Sequence, residues 1–158
     1  MKRWHVWATL ALTSAAVLLI SADKSEQTRA EEAATAFMKA VQHKNLDDLL
    51  AAVDVPWFHD GKVVIYDVAD LRREFEHLFQ KRMTSDNTLR FTLRKTVPYK
   101  ELREKIDPEE RKLAEQVLTP QDWLSLVEIL HSETGQRETV VVFVRQRGGQ
   151  AKVVGLKN

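Results

Sequence analysis

The sequence predicts an α+β domain in which helices fill the first half and an antiparallel sheet ends the chain. Apolar residues recur at helical intervals in three segments between positions 30 and 79. Residues 122–158 have the pattern of a three-stranded meander that is apolar on both strand faces. The charged tract between them, residues 99–118, predicts a helical insertion before the last three strands. A sheet in a small domain usually turns one polar face to water, so here something must cover the second face.

The first 22 residues have the pattern of an export signal. Lys2 and Arg3 form a basic start, an apolar run from Val6 to Ile20 follows, and two small residues come next. The run is 15 residues long, shorter than the roughly 20 that cross a bilayer. We therefore expect a cleaved signal peptide, residues 1–22, and a protein secreted to the periplasm or the extracellular medium.

The alternative is an uncleaved N-terminal segment that anchors the protein, with Trp4 and Trp7 at the membrane interface. Contact with a membrane is expected only in that case. Residues 23–29 are polar and predict a short leader. Residues 30–158 then form a single domain, in keeping with the length of the chain.

Composition excludes several classes of function. Without residues 1–22 the chain would carry 22 basic against 23 acidic side chains, so nothing in its net charge favours nucleic-acid binding. The chain has no cysteine, which excludes disulfides, thiol catalysis and thiolate metal sites. His-x-His, His-Glu-x-x-His and glycine-rich phosphate loops do not occur in the sequence. We predict no metal and no cofactor.

Three amphipathic helices are predicted in order. The stripe of the first consists of Ala30, Ala33, Ala34, Phe37, Met38 and Val41. Asn45 is a good N-cap for a second, shorter helix, because its side chain can accept a hydrogen bond from the first turn. Asp67 caps the third helix in the same way. The apolar stripe of the third helix consists of Leu71, Phe75, Leu78 and Phe79.

Strands and turns separate these helices from the insertion. Residues 55–58 and 62–66 predict two short strands around the Asp60-Gly61 turn, because an Asp-Gly pair favours a hairpin. Residues 89–97 alternate and predict a strand. The residues expected on one face of that strand are Leu89, Phe91, Leu93 and Val97. In the insertion, Asp107-Pro108 begins a second short surface helix.

The last three strands are predicted to pair through tight turns. A two-residue turn at Gly148-Gly149 sets Phe143 opposite Val154, and a loop of residues 132–136 sets Leu126 near Val142. An apolar surface on one face then includes Leu124, Leu126, Val142 and Val144. Because so large an exposed patch is unusual on a monomer, we predict that these four residues form a homodimer interface.

This order of elements resembles the nuclear transport factor 2-like superfamily, the cystatin-like α+β cone. The resemblance rests on Phe37-Met38-Lys39-Ala40-Val41, Asn45-Leu46-Asp47-Asp48-Leu49-Leu50, Trp57-Phe58-His59-Asp60-Gly61-Lys62 and the terminal strands, and it covers nearly all of the chain after the predicted signal. It implies a curved mixed sheet wrapped around an N-terminal helix, a conical cavity and frequent sheet-to-sheet dimers. Members include dehydratases, isomerases, polyketide cyclases and binding modules, so the fold does not choose a function.

The resemblance also implies where a ligand would bind. The residues predicted to line the conical cavity are Phe37, Val41, Trp57, Phe58, Phe75, Phe91 and Trp123. If the cavity is open, it suits a small apolar ligand; if aromatic rings plug it, the domain is structural. The charged tract at residues 99–118 departs from the compact family pattern, and we expect it to cover or fill the mouth of the cavity.

Four residues are candidates for acid–base chemistry. His59 and Asp60 lie beside Trp57 and near Tyr66, so His59 could take a proton while a carboxylate orients it. The alternative is that Asp60 only makes the turn and His59 is its exposed neighbour. Glu128 stands in an apolar run, where burial would raise its pKa. Its alternative role is an ion pair with Arg90, Arg94 or Arg145 across strands, or with an arginine of a second subunit at a dimer interface.

From these observations we predict a non-catalytic exported module. It dimerises through its sheet and binds a small apolar ligand or a partner protein. The alternative is a cofactor-free lyase or isomerase that uses His59, Asp60, Tyr66 or Glu128 on a small organic substrate. That alternative requires at least two of these side chains to converge in one open pocket.

Overall fold

The computed structural model describes residues 25–82 and 89–158. The predicted signal peptide, residues 1–22, lies outside the described residues. The described chain is an α+β fold with a curved, unclosed six-stranded sheet, which confirms the predicted fold class. None of the helices in residues 25–82 and 89–158 is both long and apolar enough to cross a membrane.

The first helix, α1, covers residues 25–42. Residues 25–29 are therefore helical, although their polarity predicted a leader. The half-buried Gln27 and Arg29 side chains bond to residues four positions away along the helix, Glu31 and Ser25. Gln146 also donates to the backbone carbonyl of Glu26, so this first turn is attached to the sheet.

Local capping places the next elements as predicted. Helix α2, Leu46–Ala52, begins after Asn45, whose Oδ1 accepts from the Asp48 N–H at 3.1 Å. Strands β1, Val53–His59, and β2, Val63–Ile65, form the expected hairpin. Asp60 and Gly61 adopt φ of 51° and 71° in its turn. Such positive values favour glycine and tolerate aspartate, which is why this dipeptide makes the turn.

Helix α3, Val68–Arg82, packs its apolar stripe against the same face of the sheet as α1. Asp67 Oδ1 accepts from the N–H groups of Ala69 and Asp70 at 2.8 and 3.2 Å, which confirms the predicted cap. Leu71 and Phe75 are buried. We call the sheet face that contacts α1 and α3 the inner face, and the opposite one the outer face.

The sheet has the order β2-β1-β6-β5-β4-β3. Its remaining strands are β3, Leu89–Pro98, β4, Trp123–His131, β5, Arg137–Arg147, and β6, Gln150–Lys157. All neighbours pair antiparallel except β1 and β6, which pair parallel. The last strand of the chain therefore inserts beside the first, and β2 and β3 form the two sheet edges.

The charged insertion covers part of the outer face. It consists of α4, Tyr99–Leu102, a 3-10 turn at Arg103–Lys105, and α5, Pro108–Ala114. The insertion and the turn that follows it bury four residues against the sheet: Tyr99, Ala114, Val117 and Leu118. The sheet residues that they contact include Phe58, Leu124, Phe143 and Val154. The expectation that this tract covers the cavity mouth is therefore wrong, because it packs on the opposite side of the sheet.

The register of β4 and β5 differs by one residue from the prediction. The His131 N–H donates to the Gln136 carbonyl at 2.9 Å, so the connecting loop closes one residue earlier than predicted. Leu126 then pairs with Val141 instead of Val142. Because side chains alternate along a strand, a one-residue shift moves every side chain of β5 to the other face relative to β4.

This shift divides the predicted dimer interface. Leu124 and Leu126 lie on the outer face, whereas Val142 and Val144 lie on the inner face under α1 and α3. Leu124, Val142 and Val144 are buried within this chain, with exposed fractions of 2%, 0% and 0%. The prediction that these four residues form one exposed surface is wrong.

Two bulges also change the predicted strand register. A register step between Leu93 and Lys95 turns Val97 to the outer face, away from Leu89, Phe91 and Leu93, with which it was predicted to align. A second step, in which Val154 is the extra residue of β6, sets Phe143 opposite Gly155 instead of Val154. Strict alternation cannot anticipate either change, because a bulge inserts one residue into a single strand.

Candidate functional site

Aromatic side chains fill the centre of the inner face. The ring centroids of Phe37, Trp57 and Phe75 are 5.3 to 6.4 Å apart, within the range of favourable aromatic packing. Trp123 is buried in the same cluster. These four side chains occupy the place where an open conical cavity was predicted, so they form core, and none of them lines either of the two depressions described below.

The other predicted pocket residues have different positions. Val41 packs at the margin of the inner core. Phe58 points to the outer face, where its ring contacts that of Phe143. Of the seven predicted residues, Phe91 is the one that lines either of the two depressions described below.

The cavity that Phe91 lines lies beside the aromatic core, between α1 and the strands β3 and β4. Its volume is about 130 Å³. The lining residues are Ala34, Thr35, Met38, Lys39, Gln42, Phe91, Leu93 and Val127. Five of them recur on one side of α1, where the small Ala34 leaves room in front of the strands.

This cavity has an apolar floor and a polar rim. Met38 and Val127 are buried, while Phe91 and Leu93 are half-buried. Thr35 and Lys39 are exposed at the rim. Gln42, also at the rim, donates from Nε2 to the Leu89 carbonyl at 2.9 Å, which ties the end of α1 to the edge strand. The arrangement can bury an apolar group and offer a cation to its polar end.

A wider, more open depression of about 510 Å³ lies between α1 and α2. Its lining includes the small residues Ala36, Ala40, Ala51 and Ala52, with Lys39, His43 and Asp48. Lys39 borders both depressions. The depression is wide because most of the side chains that line it are small.

His59 and Asp60 end strand β1, and their contacts fit a turn. The Trp57 Nε1–H faces His59 Nδ1 at 3.4 Å, a long and weak hydrogen bond. Asp60 Oδ2 accepts from Lys62 Nζ at 2.7 Å, and this bond lowers the pKa of Asp60. Asp60 therefore pairs with Lys62 and makes no hydrogen bond that would orient His59.

Tyr66 and Glu128 lie on the outer face, each with its own partner. The hydroxyl of Tyr66 bonds to Gln116 Oε1, and the residue is 63% exposed. Glu128 Oε1 accepts from Arg94 Nη2 at 2.7 Å and from Arg137 Nη1 at 3.4 Å. The hydrogen bond from Arg94 lowers the pKa of Glu128, the opposite of the rise that a buried general acid needs.

The four acid–base candidates do not converge. Strands β6 and β5 separate His59 on β1 from Glu128 on β4, so these two strands lie roughly 14 Å apart at the usual strand spacing. Neither depression is lined by any of the four residues. In residues 25–82 and 89–158, no cluster of three or more His, Asp or Glu side chains is placed to hold a metal ion.

The sequence reasoning missed most of the cavity. It did place Ala34 and Met38 on the buried stripe of the first helix. It did not show that β3, an edge strand, faces them, since this depends on the order of the strands. It also missed three buried polar atoms that have no hydrogen-bond partner in the described residues: Arg29 Nε, Tyr99 Oη and Trp123 Nε1.

No family model matches this sequence. No curated protein matches it either. Solved structures match in fold. An NTF2-like protein of unknown function from Pseudomonas putida is 13% identical, with a TM-score of 0.53 and coverage of 83% of each chain. A protein of unknown function with a cystatin-like fold from Nostoc punctiforme is 14% identical, with a TM-score of 0.51, and the match covers 80% of this chain and 84% of that one.

A ketosteroid isomerase-like protein from Erwinia carotovora atroseptica is also similar. It is 14% identical, with a TM-score of 0.51, and the match covers 84% of this chain and 93% of the other. At these identities the similarity shows the fold and does not transfer an activity. The described chain has the nuclear transport factor 2-like, cystatin-like fold.

Proposed function

From the nuclear transport factor 2-like fold, we propose that this chain is a non-catalytic binding domain for a small apolar molecule. The ligand occupies the cavity between α1, β3 and β4. The observation that carries this proposal is the cavity of about 130 Å³ with an apolar floor and a polar rim. The aromatic core fills the space that a larger substrate would need, and the four acid–base candidates lie apart.

The size and lining of the cavity define the class of ligand. An engineered apolar cavity of about 150 Å³ in another protein binds benzene, so this one fits a single ring or a short branched chain. Lys39 stands exposed at the rim, which favours a carboxylate at the outer end of the ligand. For so few atoms we expect weak binding, with a dissociation constant on the order of 10⁻⁴ M.

The test is a titration of the ¹⁵N-labelled full chain with benzoate, followed by amide chemical shifts. The expected shifts map to α1 and β3 around Ala34, Met38 and Leu93. Leu93→Phe fills the cavity and should abolish them. Leu89→Phe is the matched control, because Leu89 is half-buried on the same face of the same strand but does not line the cavity.

The neutral analogue toluene separates the two parts of the proposal. Toluene should bind more weakly than benzoate, and its affinity should not change in the Lys39→Gln variant. The affinity of benzoate should fall in that variant. If benzoate causes no shifts at millimolar concentration, or if Leu93→Phe and Leu89→Phe behave alike, this cavity is not a ligand site and the proposal is wrong.

Export and dimerisation stay predictions from the sequence. Mass spectrometry of the product outside the cytoplasm tests the first, because cleavage removes residues 1–22. Sedimentation at micromolar concentration tests the second. A dimer cannot use the surface first predicted for it, since Leu124, Val142 and Val144 are buried within one chain.

A further inference from the structure

The insertion leaves one part of the outer face uncovered. Across β3, β4 and β5, three rows of paired residues remain outside it: Arg90–Leu130–Arg137, Thr92–Glu128–Thr139 and Lys95–Leu126–Val141. The next row, Val97–Leu124–Phe143, is buried under the insertion. We call the three uncovered rows, together with Arg94 at the bulge, the basic sheet patch.

Most of the charged side chains on the basic sheet patch are positive. It holds four cations, Arg90, Arg94, Lys95 and Arg137, all exposed, and one carboxylate, Glu128, a net charge of +3. Arg94 and Arg137 share Glu128. In the part of the chain that the structure describes, Arg90 and Lys95 make no ion pair. The whole sequence has a net charge of only +1, so this concentration of cations is local.

The floor between these cations is aliphatic. Leu126 and Leu130 are half-buried, and neither is part of the two buried clusters of the described chain. Val141 lies beside Leu126 at the margin of the insertion. A partner can therefore gain apolar contact in the middle of the patch and ion pairs along its sides.

We propose that the basic sheet patch binds an extended acidic segment of a partner protein. Because of the bulge, the six residues of β3 from Arg90 to Lys95 face only five residues of β4, which gives the patch a length of roughly 17 Å. Three strands define its width, roughly 14 Å. That area suits a segment of about five or six residues. A stable dimer interface needs about 800 Å² on each partner, several times what this patch offers.

A second copy of this chain is disfavoured for an electrostatic reason as well. In a two-fold symmetric dimer the same patch faces itself, so a surface of net charge +3 would meet another of +3. Like charges brought together across an interface oppose association. An acidic partner instead supplies carboxylates to Arg90 and Lys95.

Membranes and nucleic acids fit the patch less well. The exposed large hydrophobic side chains of the described residues are Val63, Tyr66 and Val68, on and after β2 at the opposite edge of the sheet, so the patch has no side chain to insert into lipid. It has no aromatic residue on which a base could stack.

The experiment measures fluorescence anisotropy of a fluorescein-labelled hexapeptide of alternating glutamate and leucine, titrated with the full chain. We expect saturable binding that weakens at least about fivefold between 50 and 500 mM NaCl, because salt screens exposed charges. The double variant Arg90→Glu/Lys95→Glu should weaken binding by about tenfold or more.

The matched control is Lys100→Glu/Arg147→Glu, which changes the net charge equally at two exposed residues outside the patch. It should change affinity less than about threefold. Lys95→Gln, a milder variant, should weaken binding by about twofold to threefold and guards against misfolding of the double variant. Leu130→Ser should also weaken binding, since it removes part of the apolar floor.

Three results overturn the proposal. One is absence of peptide binding at 50 mM NaCl. Another is an equal loss of affinity for the peptide in the patch variant and in its control. The third is preference for a different partner. That partner would be a membrane or a nucleic acid if vesicles of anionic phospholipid or single-stranded DNA bind more tightly than the peptide. It would be a second copy of this chain if sedimentation shows a dimer that Arg90→Glu/Lys95→Glu abolishes.

Discussion

Phe58 of β1 and Phe143 of β5 pack edge to face across β6, with ring centroids 5.1 Å apart and an angle of 81° between the rings. The strand between them carries Gly155 at the point of contact, opposite both residues in the register. A Cβ atom at Gly155 would lie 2.7 Å from the Phe58 carbonyl oxygen and 3.2 Å from the Phe143 ring. This aromatic pair therefore needs a residue without a side chain between its members.

Gly155→Ala should lower the free energy of unfolding by about 2–3 kcal/mol, because backbone at the Phe58 carbonyl must move to accommodate the added methyl group. Urea denaturation measures the change. Gly135→Ala is the control: Gly135 has positive φ but open space around it, so we expect a loss of about 1 kcal/mol from backbone strain alone. Equal losses in the two variants would contradict the packing argument.

The pKa of Glu128 should lie below its ordinary value, because Arg94 and then Arg137 stabilise the carboxylate. A lowered pKa in the folded state favours folding above the pKa of the unfolded chain, and this contribution disappears as the pH falls through the folded value. NMR titration of the Glu128 side-chain carboxyl measures it. Arg94→Ala should raise the pKa towards normal.

Arg72→Ala serves as the control for that titration, since Arg72 pairs with Glu76 on α3. It should leave the pKa of Glu128 unchanged. A pKa of Glu128 above its ordinary value in the wild-type chain would show a desolvated carboxyl and would restore it as a candidate general acid.

Tyr99→Phe should leave stability unchanged or raise the free energy of unfolding by about 1 kcal/mol. The Tyr99 hydroxyl is buried without a hydrogen-bond partner in the described residues, and an unsatisfied buried polar group costs about 1–3 kcal/mol. Burial also raises the pKa of Tyr99. Thermal and urea unfolding measure the effect, with Tyr66→Phe as an exposed control that should change little.

A loss of more than about 1 kcal/mol in Tyr99→Phe would mean that the hydroxyl has a partner after all. Ultraviolet titration supplies a second readout, because the two tyrosines of the chain differ in burial. The tyrosinate signal of Tyr99 should appear at higher pH than normal and should be missing in Tyr99→Phe.

Arg145→Ala should lower the free energy of unfolding by about 2–3 kcal/mol. Arg145 is 6% exposed, and its Nη2 donates to Asp54 Oδ2 at 2.6 Å and to the Val55 carbonyl at 3.1 Å. Removing it breaks both bonds and the packing of its stem. The value is at the low end for a buried pair because the Asp54 side chain is half exposed.

The control is Arg73→Ala, which removes a pair with Asp70 on the exposed side of α3. An exposed ion pair contributes little, so we expect a change below about 0.5 kcal/mol in urea denaturation. If Arg145→Ala proves equally mild, the Arg145–Asp54 pair does not anchor β1 to β5.

Local signals predicted the helices and the hairpin. Asn45 and Asp67 cap their helices as expected, and Asp60-Gly61 makes its turn, because each depends on residues only a few positions apart. The sequence predicted that Glu128 could pair with an arginine, and Arg94 was among the expected partners. The second partner, Arg137, was not.

The strand register and the cavity could not be predicted. One hydrogen bond, from His131 to Gln136, shortens a loop by a residue and moves Val142 and Val144 from the expected dimer surface into the core. A bulge after Leu93 likewise moves Val97 to the face opposite the one predicted for it. The cavity forms only where α1 meets an edge strand, so it depends on strand order as well as on residue type.

By itself, the sequence determined that the last three strands are apolar on both faces, because that property belongs to the residues in any register. Only the tertiary structure decided what covers each face. Tyr99, Ala114, Val117 and Leu118 are scattered through a charged tract, yet together they bury the rings of Phe58 and Phe143. Hydrophobic burial has no direction of its own, so the path of the chain chooses which apolar surfaces meet.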